Sequence, residues 1–539
     1  MNATQNHPCT IAAIDSLGRT LPTTSIRRQT KKRTVGLFYF LWCGEHGRHK
    51  PYDISKIVAA DPAAGQHPDS PAWGGVGTYH HWGEPFYGYY YSDDEWVIRR
   101  HMMLFCDAGV DFLFFDTTNA IIYEKNVKIV LRVLQEYHDA GFRIPKVMFY
   151  TNSASGKTVE QIYNAIYKPN YCPDTWYCYD KKPVIIAVPE ECSPETRDFF
   201  DIKLAQWPNE PDKQGGWPWM DFTRPQRVFD NLDGEPEVIN VSVAQHPQLR
   251  FGDSVLYGED GNCGRAYHRM DDGISRNDPD PKAFLGGANL AEQFDRAIEA
   301  DPPVVLVTGW NEWIAGRWQG IESRPIMFVD CANPLYSRDL EMMRGGYFDN
   351  YYLQFISCIR AYKGQEDTDL PRICHHVPGG NFHRDNDGYG THYTNTTGRN
   401  ALASLAAEPD GDMLCVRVQV YGKLDEDRSG SWMQVFVTGE GEHGGTFATI
   451  WTEEGPQLAA VGKQDHHDDT SDYTDVAVAK SIEAVCGEDS VTYRIPRALL
   501  PKGKLWIKAA DSREPIRCGE DFYDKGDTVP AGRLWFVVQ

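Results

Sequence analysis

Apolar and polar positions alternate in blocks along the first two thirds of the chain. Short, continuously apolar runs stand at Thr34–Trp42, Val110–Asp116, Lys146–Asn152, Pro183–Val188, Ile202–Trp207, Val238–Gln245, Val304–Trp310 and Ile326–Asp330. Unbroken apolar runs of this length predict parallel strands covered on both faces. Between them lie stretches of helical period: Asp93–Asp107, Lys125–Asp139, Thr158–Tyr167, a helix capped by Asn289 and running to Ala300, and Asp349–Tyr362. Eight such units predict a (β/α)₈ barrel of the α/β class over residues 34–362. A doubly wound sheet is the rival, but no G-x-G-x-x-G follows the first strand.

The pattern changes after Tyr362. Residues 363–371 (KGQEDTDLP) are polar and end in proline, a linker signature. From 372 to 539 the runs are short and punctuated by turns: Met413–Tyr421, Ser431–Thr438, Thr446–Thr452, Ser490–Ile495, Leu505–Ala509 and Arg533–Val538. They predict an antiparallel β-sandwich. Residues 1–33 lack the apolar core of a signal peptide and read as an extended or disordered lead-in.

Composition narrows the function. The 539 residues carry 54 Lys+Arg against 76 Asp+Glu, a net charge of −22. That excess disfavours nucleic acid as a partner. No run of 18 apolar residues is present to cross a membrane. The 13 cysteines are odd in number, scattered and free of C-x-x-C pairs. They fit reduced thiols and a cytoplasmic location, which leaves the sequon at Asn395 idle. Aromatics are plentiful, with 15 Trp, 28 Tyr and 24 Phe.

Barrel chemistry gathers at the C-terminal ends of the strands. There the sequence places Tyr39, Trp42 and Glu45; Asp116 and Asn119; Tyr150 and Asn152; Glu190 and Glu191; Gln206 and Trp207; Gln245 and His246; Trp310, Asn311, Glu312 and Trp313; and Asp330. Carboxylates, amides and large rings suit a sugar: amides and acids bond hydroxyls, and flat rings cover the C–H faces of a pyranose. Glycoside hydrolysis commonly needs two carboxyl groups across the bond. Glu312, wedged between two tryptophans, is the principal candidate, with Arg317 as its ordinary ion-pair alternative. Asp116, Glu190 and Glu191 are candidates for the second carboxylate, and each has a plain reading as a helix cap or a solvated residue. Tyr79, His81 and Trp82 in one loop and Trp217 in another are candidate sugar contacts. Adjacent histidine pairs (80–81, 375–376 and 466–467) lack metal-ligand spacing, and no metal or organic cofactor is expected.

Trp310-Asn311-Glu312-Trp313 after an apolar strand resembles the N-E-W motif of glycoside hydrolase family 99, which is allied to family 71. The segment His80-His81-Trp82-Gly83-Glu84-Pro85, followed by Tyr90, Asp93-Asp94 and Ala108-Gly109-Val110-Asp111-Phe112, is similar to the H-W-x-x-P and A-G-x-D-x-F segments of related barrels. The resemblance covers about residues 34–362. It implies that Glu312 acts on a sugar 2-hydroxyl. The family's second Glu falls three residues on, where this chain has Ala315, so either another carboxylate (Asp116, Glu190, Glu191 or Glu322) supplies the acid, or the chemistry differs, or the barrel binds glycans without cleaving them. The tail from Asp521 to Arg533 is similar to the end of the carbohydrate-binding-type sandwich of some bacterial family 99-like proteins. The expected function is hydrolysis of an oligosaccharide or small glycoside. The rivals are a non-catalytic glycan-binding protein and a metal-dependent hydrolase. The sequence leaves oligomeric state open.

Overall fold

The computed structural model describes residues 10–21, 31–46, 48–179, 181–208, 210–245, 255–257, 263–328, 331–364, 372–440, 446–461, 473–474 and 476–538. Its first part is built on eight parallel strands. They are β1 (Thr34–Tyr39), β2 (Phe112–Thr117), β3 (Lys146–Thr151), β4 (Lys182–Ala187), β5 (Asp201–Gln206), β6 (Gly216–Pro218), β7 (Pro236–Ser242) and β8 (Val304–Thr308). The ladder runs β7-β8-β1-β2-β3-β4-β5-β6, so the last strand lies beside the first. The two ends of the ladder meet through side chains. Trp217 Nε1 donates to Glu237 Oε2 at 2.8 Å, and Asn240 Nδ2 donates to the Trp219 carbonyl at 2.9 Å.

Alternate residues of these strands face inward. Phe38, Phe112, Phe114, Met148, Tyr150, Val184, Ile186, Trp217, Val238, Val304 and Leu306 form one buried cluster. The outer faces pack on helices in a second cluster, which is why the strands read as unbroken apolar runs. The helices of six or more residues are α1 (Ile54–Ala60), α2 (Glu95–Ala108), α3 (Glu124–Asp139), α4 (Ser155–Ile162), α5 (Pro194–Phe199), α6 (Ala288–Ala300) and α7 (Asn350–Lys363). Asp94 caps α2 through the amides of Trp96 and Val97, and Gly109 ends it at φ 76°. A short π-helical turn, Tyr163–Tyr167, continues α4.

Several expectations are corrected here. The segment Ile326–Asp330 is not the eighth parallel strand. Arg324–Phe328 instead pairs antiparallel with β9 (Ile314–Ile321), and β9 pairs with Tyr79–His81. Asp330 lies outside the described residues. The missing strand is β6, three residues long and too short to leave an apolar run. No α-helix joins β5 to β6 or β6 to β7 among the described residues, so the alternation is not regular. Gly287, not Asn289, is the N-cap of α6; Asn289 Nδ2 donates instead to the carbonyls of Ser242 and Val243, tying the helix to the end of β7.

The C-terminal strands form two antiparallel sheets. One contains Trp535–Val538, Leu505–Ser512, Ser431–Gly439, Thr446–Thr452, Gly455–Val461 and Val476–Ser481; the other contains Ile373–His375, Leu402–Asp410, Met413–Val420, Ser490–Pro496 and Glu483–Cys486. Val435, Val437 and Ile507 of the first share a buried cluster with Leu405, Val416, Val418 and Ile495 of the second.

The lead-in is not wholly outside the fold: Ile11–Ala12 adds a strand to the first sheet, with Ile11 opposite Phe536. Nor does the polar segment begin at 363. Lys363 ends α7 and bonds both oxygens of Asp111 at 2.8 Å, while 365–371 lie outside the described residues.

The two parts are fastened by buried ion pairs. Arg533 grips Asp349 through Nε (2.7 Å) and Nη2 (2.5 Å), and Arg384 Nε meets Asp94 at 2.7 Å. The hairpin of Arg384–Gly388 and Thr391–Asn395 reaches back over the first part. At its turn Tyr389 is fully buried and its hydroxyl accepts from the Gly44 amide at 2.9 Å. No helix among the described residues is long and apolar enough to cross a membrane.

Candidate active site at the strand ends

Phe112, Phe114 and Asp116 share the inward face of β2, so the alternation carries a carboxylate to the end of the strand above the phenylalanines. Asp116 is 7% exposed and accepts from the Thr118 amide at 3.0 Å. Around it the chain sets a half-buried aromatic shelf. Trp42 and His46 follow β1, and Tyr79 stacks on His46 with centroids 5.0 Å apart. Trp42 lies 5.8 Å from Phe40, and Phe40 lies 4.8 Å from Phe38 of the interior. On the other side Trp207, after β5, leans on Trp219, after β6, at 5.3 Å. Tyr123 closes the floor: Asn119 Nδ2 donates to its hydroxyl at 2.7 Å, and His46 Nε2 lies 2.9 Å from it. Burial lowers the His46 pKa and raises that of the Tyr123 phenol, to which the Asp116 charge adds.

Glu312 stands beyond the end of β8, 3% exposed, and pairs with the buried Arg338. The Arg338 guanidinium lies 5.2 Å over the Trp219 ring, so the ion pair borders the shelf. The Glu312 amide donates to Asp339 Oδ1 at 2.5 Å. Burial pushes the Asp339 carboxyl up to about 6, against the pull of that amide. Behind the pair runs a fully buried chain. Tyr39 hydroxyl meets His101 Nδ1 at 2.9 Å, His101 Nε2 meets Glu341 at 2.8 Å, and Glu341 accepts from Tyr90 at 2.7 Å and Trp313 Nε1 at 2.5 Å. Such a satisfied network fixes the backbone that presents Glu312.

The structure separates the other candidates. Trp82 and Trp313 are fully buried, stacked at 4.3 Å and 17°, and Trp82 Nε1 donates to the Glu312 carbonyl. They brace the motif and offer no face to a sugar. Trp310 is buried against Phe105, His101 and Tyr352. Asn311 brackets the main chain of Phe40, accepting from its amide at 2.9 Å and donating to its carbonyl at 3.1 Å. Trp217 points into the interior. Gln206 ties the 207–213 loop through Trp207, Glu210, Pro211 and Lys213, and Gln245 bonds Arg224 and the Asp221 carbonyl.

Arg317 is not the partner of Glu312; it bonds the carbonyls of Gly74 and Pro68. His81 is caged between Tyr89 and Tyr389, and neither ring nitrogen has a hydrogen-bond partner; burial lowers its pKa to about 3. Glu190 and Glu191 sit exposed on a 3₁₀ turn, where Glu191 accepts from the Gly156 amide at 3.2 Å in the first turn of α4, the solvated, capping alternative. Asn152 is half-buried just past the end of β3. Ala315 is buried against Ile54 and Trp73. His246 lies outside the described residues.

Trp219 stands in the same Gly215–Asp221 loop that the sequence offers with Trp217, whereas Arg338, Asp339, His101, Glu341, His46 and Tyr123 escaped sequence reasoning. Arg338, Asp339 and Glu341 fall in a loop without periodicity. His46 and Tyr123 lie near predicted strand ends, and that proximity was the available signal.

One group of possible metal ligands occurs among the described residues: His138, Asp139 and Asp174, with ligand atoms within 4.8 Å of one another. It lies at the opposite end of the sheet, where Lys146 begins β3 and bonds the Asp174 carbonyl.

No family model and no curated protein matches the sequence. Among solved structures, the chain is similar to a GH99 endo-alpha-mannosidase from Bacteroides thetaiotaomicron in complex with BIS-TRIS-propane. The identity is 14% and the TM-score 0.36, over 61% of this chain and 97% of that one. A second structure of that enzyme gives 15% and 0.34, over 61% and 96%. A beta-glucuronidase from Parabacteroides merdae gives 12% and 0.24, over 79% of this chain and 58% of that one.

Proposed function

We propose that the protein is a glycoside hydrolase acting on an oligosaccharide or small glycoside at the C-terminal ends of β1–β8. We read the sheet as a (β/α)₈-type barrel that has lost two helices, and the C-terminal sheets as a sandwich that braces it. The observation that carries the reading is the shelf of Trp42, His46, Tyr79, Trp207 and Trp219 between two carboxyl groups, Asp116 and the Arg338-bound Glu312. β2 and β8 flank β1, so their backbones stand about 10 Å apart at the usual strand spacing, which leaves room for one pyranose. In this reading Glu312, oriented by Arg338, engages the sugar beside the anomeric carbon. Asp116 handles the proton passed between water and the leaving oxygen.

The burial of Glu312 against Arg338, with Ala315 three residues on, favours a second reading: a glycan-binding protein without turnover. One experiment separates the two. Glu312→Gln and Asp116→Asn are assayed beside wild type for both hydrolysis and binding on a glycan panel. The hydrolase reading requires wild-type turnover that falls at least a hundredfold in each variant while binding persists. Binding without turnover in wild type establishes the second reading. Neither binding nor turnover refutes both.

A further inference from the structure

The aromatic shelf does not stop at Tyr79. Tyr79 lies directly opposite Gly316 of β9, so the two share one face of the small sheet. Trp318, two residues on, points to that same face. A Cβ placed on Gly316 would lie 3.5 Å from Trp318 Nε1 and 3.6 Å from Tyr79 Cε1, so the indole and the phenol flank a bare glycine. Trp318 is 51% exposed, whereas Trp73, Trp82, Trp217, Trp310, Trp313 and Trp506 are fully buried. The position of Trp318 continues the series Trp42, His46, Tyr79 outward from the site.

We propose that Trp318, with Tyr79 beside it across Gly316, forms an outer subsite that covers the apolar face of a further pyranose ring of an oligosaccharide. This rests on the carbohydrate reading above and deepens it: the substrate is a chain of several rings, held beyond the bond that is cut. A ring at Trp318 adds binding energy remote from the chemistry, which can be used to hold the inner ring in place.

The test uses the full chain and three probe series, manno-, malto- and cello-oligosaccharides of two, four and six rings, with affinity read by calorimetry and KM wherever turnover occurs. Wild type is expected to prefer six rings over two in at least one series. In Trp318→Ala that preference falls about five- to tenfold, the size expected for uncovering one ring face. Trp318→Phe keeps most of it, which excludes a mere change in fold. Circular dichroism of the variants checks that the exposed position leaves folding intact. A wild type that binds a series with no gain from length overturns the subsite and leaves the carbohydrate reading standing. So does a length preference that survives in Trp318→Ala. Wild type that binds no series overturns both.

Discussion

Arg338→Met tests how the site is held. Arg338 is 1% exposed and its partner Glu312 3%, and the guanidinium is sandwiched between that carboxylate and the Trp219 ring. Methionine keeps much of the apolar stem over Trp219 but leaves Glu312 as a buried charge without this partner. Breaking a buried ion pair from one side costs about 3–5 kcal/mol, a large part of the roughly 5–15 kcal/mol that holds an ordinary domain. Replacing both partners, Glu312→Leu with Arg338→Met, restores most of the loss, because neither charge of the pair is then stranded. The assay is urea unfolding followed by tryptophan fluorescence, with midpoint and slope compared among wild type, both single variants and the double. A cost for Arg338→Met below about 1 kcal/mol is what a solvated pair shows. That result would refute the buried pair: water would reach Glu312, and the site would stand open in solution.

The remaining predictions are shorter. The His81 imidazole is held neutral by burial down to about 3, against an ordinary 6.5, so the unfolded chain takes up the proton first on acidification. Stability is therefore lost as pH falls from about 6.5 toward 3, and His81→Phe flattens that arm of the stability–pH curve; an unchanged arm refutes the cage. Tyr389→Phe removes the acceptor of the Gly44 amide and costs about 1–3 kcal/mol in urea unfolding. It also raises KM by loosening the turn that carries Trp42 and His46; unchanged stability and KM would show that the hairpin does not hold this turn.

The sequence disclosed most of the strands because their physics is local. A strand covered on both faces must be apolar throughout, and Val35–Tyr39, Phe112–Phe115 and Val304–Val307 are. β6 broke the rule by brevity: Trp217, flanked by Gly216 and Pro218, looks like a loop aromatic, yet it is buried in the interior cluster and its indole N–H donates to Glu237 twenty residues away. The placement of Asp116 and Glu312 at strand ends was legible from alternation and motif. The site was illegible where long-range pairing decided the matter. Trp82 and Trp313 read as exposed platforms until each is seen to cover the other. Arg338 had no signal, since nothing in its own neighbourhood announces a partner 26 residues earlier.

The strand at Ile11–Ala12 has a consequence for how the molecule is made. Its partners, Phe536 and Trp535, are made long after it, because they lie at the far end of the sequence separation that this sheet closes. The eight parallel strands are complete by Thr308, and Asp94 and Asp349 then wait for Arg384 and Arg533 before their charges are answered. Synthesis thus runs ahead of closure. The nascent parallel sheet spends the translation of some 200 residues, about 10–40 s at ordinary elongation rates, with two buried-to-be carboxylates and the unpaired strand Ile11–Ala12 exposed. The strand Trp535–Val538 works as a latch, and translation pauses ahead of it would lengthen the interval in which the chain is open to proteases and to other copies of itself.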